Sequence, residues 1–272
     1  ATVALALALL LGCAGREGQT RLDIRGSDSE VNVVQRLAEV FMKEQPDVFI
    51  SVTGGGSGVG IAALIDGTAD LANSSRPLRP EEKLLALRSG IRPYREIFAL
   101  DALTIIVHED NPVETLTLEQ VGALFRGEVE RWTALEGPDA RVITYGRQTS
   151  SGTYQWFREN VVQGGYDPST RQMSGTAQIV DSVARDPGGV GYVAVGYLEA
   201  GAEGVHAVAI QTSSSAAPVS PDDEEAVLAG RYPISRPLYQ FSDGPPEGAL
   251  AGVVSFVRSA RGREIILDMG FF

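Results

Sequence analysis

Val48-Phe49-Ile50-Ser51-Val52-Thr53-Gly54-Gly55-Gly56-Ser57-Gly58 is the stretch on which the fold turns. Its first five residues are β-branched or aromatic around one serine and read as a strand. Three glycines follow, and then Ile61, Ala62, Leu64 and Ile65 recur at helical spacing until Gly67 stops the run. Another short strand is expected at Ala69-Asp70-Leu71-Ala72. Strand, glycine turn, helix and strand in that order form the repeating unit of an α/β fold.

The unit recurs on both sides. Upstream, Leu22-Asp23-Ile24-Arg25 alternates as a short strand does, and Gly26-Ser27-Asp28-Ser29 leads into a helix with Val34, Leu37, Ala38 and Phe41 on one face. Ser27 and Glu30 have capping-box spacing, with Ser27 as N-cap. Pro80-Glu81-Glu82-Lys83 has the composition of a first helical turn. Downstream, Ala102 to Val107 reads as a buried strand, Leu118 to Phe125 as a helix, and Arg141 to Tyr145 as a strand entering the polar turn Arg147-Gln148-Thr149-Ser150-Ser151-Gly152-Thr153. Tyr154, Phe157 and Val161 begin the next helical face. Ile179, Val180, Val183 and Ala184 mark another, ended by Pro187-Gly188-Gly189, before a strand at Val190–Val195. Residues 211–223, rich in Ser, Ala, Pro and Asp, read as a loop. The alternation implies an α/β fold with mainly parallel sheets, whose ligands sit at the carboxyl ends of strands.

Three of these turns share one design. Gly26–Ser29, Gly54–Gly58 and Arg147–Thr153 are small and polar, follow a strand and open a helix. A helix N-terminus presents unpaired N–H donors and the positive end of the macrodipole. Glycine lets an anion approach the backbone, and hydroxyls add donors. Three such ends on one chain point to a site that wraps a small oxyanion.

Composition sets the setting. The 272 residues, 43% of them hydrophobic, suffice for one large domain or two small ones with a sizeable core. A net charge of −12 argues against nucleic acid or an anionic membrane surface as partner. Any anion bound here is therefore held by local dipoles and a few cations. His108 and His206, the two histidines, read as solvated or packed imidazoles, so neither a metal site nor any cofactor is expected. Ala1 to Gly12 is an apolar run, shorter than the roughly 20 residues a membrane span requires but suited to a signal-peptide core. It lacks a charged n-region and an initiator Met, so the sequence reads as truncated at its start. Leu10-Leu11-Gly12-Cys13 resembles a bacterial lipobox, with cleavage before Cys13 and lipidation of its thiol; the alternative is a simple signal peptide with an incidental cysteine. As the sole cysteine, Cys13 can form neither an internal disulfide nor a thiolate metal cluster. Residues 14–20 read as a tether.

The serines do not read as catalytic. Ser57 is not in a Gly-x-Ser-x-Gly elbow, since Val59 stands two residues on, and no Lys-Ser/Thr pair follows the glycines as in a P-loop. Neither histidine has a sequence context of a base beside a serine. No enzyme activity is expected.

Taken together, the three turns resemble those of the phosphate-binding proteins of bacterial phosphate ABC importers, which are type II periplasmic binding proteins. The same order of segments extends the resemblance over nearly everything after the tether: Ala69–Leu78, Ala99–Leu103, Leu124–Gly127 with Arg131-Trp132, Gly188–Val193 and Tyr232–Tyr239. It implies two α/β lobes joined by two hinge strands, with phosphate in the cleft between them. The crossings would fall near residues 98–104 and 234–241. One lobe would be residues 21–98 with 242–272, the other residues 99–241, after a leader at 1–13 and the tether at 14–20. The implied protein is an extracytoplasmic lipoprotein, monomeric, anchored in the membrane through Cys13. It binds inorganic phosphate and passes it to the importer's permease subunits. The alternatives are a binder of another tetrahedral oxyanion (sulfate, molybdate or tungstate) and a phosphate sensor or scavenger without a transporter.

The resemblance also implies a site. Ser57 falls on the serine that donates its hydroxyl and N–H to phosphate, Arg147 on the arginine that pairs with the anion, and Ser151, Gly152 and Thr153 on donors at a helix start. Asp28 and Ser29 fall where the first turn supplies a hydroxyl and an N–H; Ser27, Gly58 and Arg76 are further candidates. Plain helix capping is the alternative for Ser57 and Ser151, a surface ion pair for Arg147, solvent for Arg76. Two positions depart from the pattern. Ser75 stands where well-known members carry the aspartate that accepts the proton of hydrogen phosphate, and Thr149 replaces a second aspartate that usually partners the arginine. Asp28, a carboxylate where many relatives have a hydroxyl, is then the expected replacement acceptor, or it complements the first helix dipole.

Overall fold

The structure is a computed structural model and describes residues 19–199 and 201–272. Cys13, the leader and most of the tether lie outside the described residues. The chain runs β1 (Thr20–Gly26), α1 (Val31–Glu44), β2 (Val48–Thr53), α2 (Ser57–Ile65), β3 (Leu71–Ser74), α3 (Pro80–Arg88), β4 (Pro93–His108), β5 (Thr115–Thr117) and α4 (Leu118–Arg126). It continues through β6 (Ile143–Arg147), α5 (Gly152–Phe157), β7 (Arg171–Met173), α6 (Thr176–Val183), β8 (Gly189–Ala194), α7 (Gly196–Glu199), β9 (Val205–Gln211), α8 (Glu224–Leu228), β10 (Ser235–Asp243), α9 (Gly248–Arg258) and α10 (Ala260–Asp268).

The strands pair in the order β2-β1-β3-β10-β4-β8-β6-β7, with β9 on β4 and β5 on β9. Within each end the pairing is parallel, β1 with β2 and β3, and β6 with β7 and β8. The middle is antiparallel, because β4 and β10 run against each other and β4 against β8 and β9. The sheets are therefore mixed, where the sequence led us to expect mainly parallel ones. β4 holds them together. Pro93–Ala102 pair with β10, and from Leu103 onward the same strand pairs with β8 and β9.

Each half has its own core. One packs α1 (Val33, Val34, Leu37, Phe41) and β1–β3 (Leu22, Ile24, Ile50, Leu71) against α9 and α10 (Val253, Val257, Ile265, Ile266). The tail thus returns to the first half, and Phe272 pairs with Leu100, its N–H donating to the Leu100 carbonyl at 3.0 Å. The other core gathers Leu103, Ile105 and Val107 of β4 with Val121, Leu124 and Phe125 of α4, Trp132, Phe157 and Tyr192.

Several boundaries differ from expectation for local reasons. Thr20 already belongs to β1, paired with Val48, so the tether ends a residue early. The Ser27–Glu30 capping box does not form: the Ser27 N–H continues the sheet by donating to Asn73 O at 3.0 Å, and α1 starts later, with Glu30 as an N-cap whose side chain caps nothing. A complete capping box occurs at α4, between Thr117 and Gln120. β4 begins nine residues before Ala102, through a stretch whose charges at Arg95, Glu96 and Asp101 hide its pairing.

Candidate functional site

The polar turns converge where the two halves meet. Ser29 follows β1, Ser57 opens α2, Ser75 follows β3, and Thr153 lies in the first turn of α5 in the other half. Their hydroxyls bond one another: Ser29 to Thr153 at 2.7 Å, Ser57 to Ser75 at 3.2 Å, Ser75 to Thr153 at 3.3 Å, with Ser27 donating to Ser75 at 3.2 Å. All five side chains are buried. The amides of Ser57, Gly152 and Thr153 occupy first-turn positions, where a helix offers no internal acceptor. Gly152 is needed here for space. A Cβ on it would lie 2.2 Å from the Ser57 hydroxyl and 2.9 Å from that of Ser75. The Ser57 hydroxyl also accepts the Ser75 N–H at 3.1 Å, so it is no helix cap.

Two buried guanidinium groups flank this cluster. Arg147, at the end of β6, donates to Thr176 Oγ1 at 2.8 Å and to Ser174 O at 3.0 Å, and forms an ion pair with Asp28. Asp28 is thereby the arginine's partner, the role lost at Thr149. Its other oxygen accepts the Gly55 N–H at 3.0 Å, and its carbonyl accepts the Tyr197 hydroxyl at 2.6 Å. Both carboxylate oxygens are thus engaged within the protein, one by Arg147 and one by the Gly55 N–H. Burial, with Asp28 beside it, pushes the Tyr197 hydroxyl up to about 12, so it stays a donor at neutral pH.

The second guanidinium is Arg236 on β10, which sequence reasoning missed. Its Nη2 donates to Thr153 Oγ1 at 3.1 Å and Ser29 Oγ at 3.3 Å, and Nη1 to the Ser75 carbonyl at 3.3 Å. Its ion partner is Asp101, at 2.8 and 3.1 Å, directly opposite in the β4–β10 register. The signal was present in the sequence: Asp101 and Arg236 are single charges inside apolar strand runs, and charges so placed are buried only as pairs.

The remaining candidates fall elsewhere. The Arg76 side chain turns away and forks onto Glu82 at 2.7 and 2.8 Å, an ion pair that Arg79 joins. It is neither solvated nor part of the site. Ser151 caps α5, accepting the Tyr154 N–H at 3.3 Å. The Gly58 N–H donates to Ser150 O at 3.0 Å, joining the two halves. Of the expected set, Ser27, Ser29, Ser57, Ser75, Gly152 and Thr153 come together, and Arg147 and Asp28 stand beside them as a pair.

Comparison with known proteins places the chain in a family. The family described as "PBP superfamily domain" matches residues 14–261. The phosphate-binding protein PstS of Pseudomonas aeruginosa is 33% identical over 264 residues, covering 90% of this chain and 80% of its own. PstS of Staphylococcus saprophyticus is 30% identical, covering 89% and 78%. Among solved structures, a putative phosphate ABC transporter substrate-binding protein with bound phosphate from Clostridium perfringens aligns with a TM-score of 0.83 at 27% identity, over 93% of this chain and 99% of that one. The chain belongs to the PBP superfamily and, within it, to the family of phosphate-binding proteins.

Proposed function

We propose that this protein binds inorganic phosphate where its two halves meet and delivers it to the permease subunits of an ABC importer. The observation that carries the reading is the donor cluster: hydroxyls from Ser29, Ser57 and Ser75 on one half and Thr153 on the other lie within hydrogen-bonding distance of one another, with Arg236 donating into them. A buried dianion needs complete hydrogen bonding to offset its lost hydration, and such a shell, with helix-start amides, supplies it. The two arginines are each matched by an aspartate, so the anion is held by donors and dipoles rather than by excess charge.

The lobes in this reading are residues 21–98 with 242–272, and 99–241, with β4 and β10 as the crossings. The protein acts as a monomer without enzymatic activity, outside the cytoplasm and tethered by a lipid on Cys13. Among the described residues no helix is long and apolar enough to cross a membrane. Titration calorimetry on protein freed of carried-over ligand should give a one-to-one isotherm with phosphate, and none of similar affinity with sulfate, molybdate or tungstate. Silence with phosphate, or tighter binding of another oxyanion, overturns the assignment. Labelling of the native protein with a radioactive fatty acid should depend on Cys13.

A further inference from the structure

Glu30 has no role in the site described so far, yet it is next in the chain to Ser29 of the hydroxyl cluster. It follows Ser29 in the turn between β1 and α1, is fully buried, and neither carboxylate oxygen has a hydrogen-bond partner. A carboxyl group in that position is costly unless it is neutral or bound to something. The charged groups that act on it belong to the site: the Arg236 guanidinium of β10 with its partner Asp101 of β4. Burial pushes the Glu30 carboxyl well above the usual carboxylate range; Arg236 pulls it back in part, and Asp101 adds to the rise.

The charge balance gives this residue its leverage. Arg147 cancels Asp28, and Arg236 cancels Asp101. Glu30 therefore decides the sign of the site. Ionised, it leaves one uncompensated negative charge beside an incoming anion in a dry cleft, where repulsion is strong. Neutral, it removes that charge and offers an O–H.

We propose that Glu30 is the proton-holding group of the anion site: the complex carries a proton on the Glu30 carboxyl, over and above those the anion brings, and loss of that proton expels the anion. Asp28 and Asp101 are each paired with an arginine, whereas Glu30 has no hydrogen-bond partner on either carboxylate oxygen. The proposal rests on the reading that this site binds phosphate.

The test is phosphate affinity by calorimetry from pH 5 to 9 for the wild type and for Glu30→Gln, which keeps the shape and cannot ionise. Phosphate's own ionisation is common to both proteins and cancels in their ratio. The wild-type dissociation constant should rise relative to that of the variant once Glu30 begins to ionise, by about tenfold per pH unit. Glu30→Met, of similar bulk and equally unable to ionise, should give the same relative rise. That comparison also decides the matter if Glu30→Gln does not fold. A wild-type dissociation constant whose ratio to both variants stays flat overturns the proposal while leaving phosphate binding intact. Absence of phosphate binding by the wild type at every pH removes the underlying reading instead.

Discussion

The two buried arginine–aspartate pairs look alike and hold different things. Arg236 and Asp101 sit opposite each other on adjacent strands, both entirely inaccessible. Those strands are the ones that pass from one half to the other, so the pair is built into the frame whether the halves are together or apart. Arg147 and Asp28 belong to opposite halves, on the end of β6 and the turn after β1, and Asp28 keeps some exposure (2% and 16% for the two side chains). That pair bridges the halves. Two ion pairs of one composition thus differ in place, one within the frame and the other across the junction.

The sharpest way to break the comparison is at the frame. Arg236→Ala leaves Asp101 buried without a cation, and breaking a buried pair in this way costs about 3–5 kcal/mol. Urea unfolding of the variant should show that loss, and phosphate binding should vanish with it. Asp101→Ala should do the same. If Arg236→Ala unfolds at the wild-type urea concentration, the pair is not structural and the contrast collapses.

Arg147→Ala should act on the other side of the division. Its carboxylate partner can return to water when the halves separate, so the unliganded protein should lose only about 1 kcal/mol of stability. Phosphate affinity should fall by roughly 3 kcal/mol, a little over a hundredfold, because the closed state then buries Asp28 uncompensated beside an anion. A double-mutant cycle of Arg147→Ala with Asp28→Ala, read in binding, should give a coupling of about 1–3 kcal/mol; read in unliganded stability it should be near zero. Equal coupling in both measurements would make Arg147–Asp28 a second frame pair.

The contrast also explains what was legible in the sequence. Turn composition marked the three turns as donor-rich helix starts, and the family resemblance singled out Ser29, Ser57, Thr153 and Arg147 within them. Arg236 and Asp101 are single charges within apolar strand runs, which signals a buried pair but not its members; only the pairing of two strands, 135 residues apart, shows that they belong together. The pairing of Asp28 with Arg147 was not legible, because the two lie 119 residues apart. That of Arg76 with Glu82 was missed although only six residues separate them.

Glu82 gives a third, smaller effect that separates stability from binding. Burial raises its carboxyl, but the hydrogen bonds of Arg76 and Arg79 outweigh this and hold it at about 2. A depressed carboxyl stabilises the fold above its unfolded value and loses that contribution as the pH falls towards the folded one. About 2–3 kcal/mol should therefore disappear between about pH 4.5 and pH 2, with Glu82→Gln lacking that slope. Glu30 has the opposite sign. Its raised value means stability that is complete at low pH and declines as the pH climbs through the folded value, so Glu30→Gln should be the more stable protein at alkaline pH. The Glu82 slope should not depend on phosphate, whereas the Glu30 slope should.

The finest test lies between two serines that the sequence treats alike. Ser57 and Ser151 both stand at a helix start, and either could be a cap. The structure separates them by where the hydroxyl goes. That of Ser57 bonds Ser75 in the cluster, while that of Ser151 accepts the Tyr154 N–H of its own helix. Ser57→Ala should therefore lose a donor to a charged ligand, about 1.5–3 kcal/mol in phosphate affinity. Ser151→Ala should lose a cap, about 1 kcal/mol in stability, with phosphate affinity changed by less than about threefold. The two measurements on the two variants form a square whose diagonal entries should be large. If Ser151→Ala weakens binding as much as Ser57→Ala does, its hydroxyl turns to the ligand on binding, and the division between frame and site at α5 lies one residue earlier than the hydrogen bonds place it.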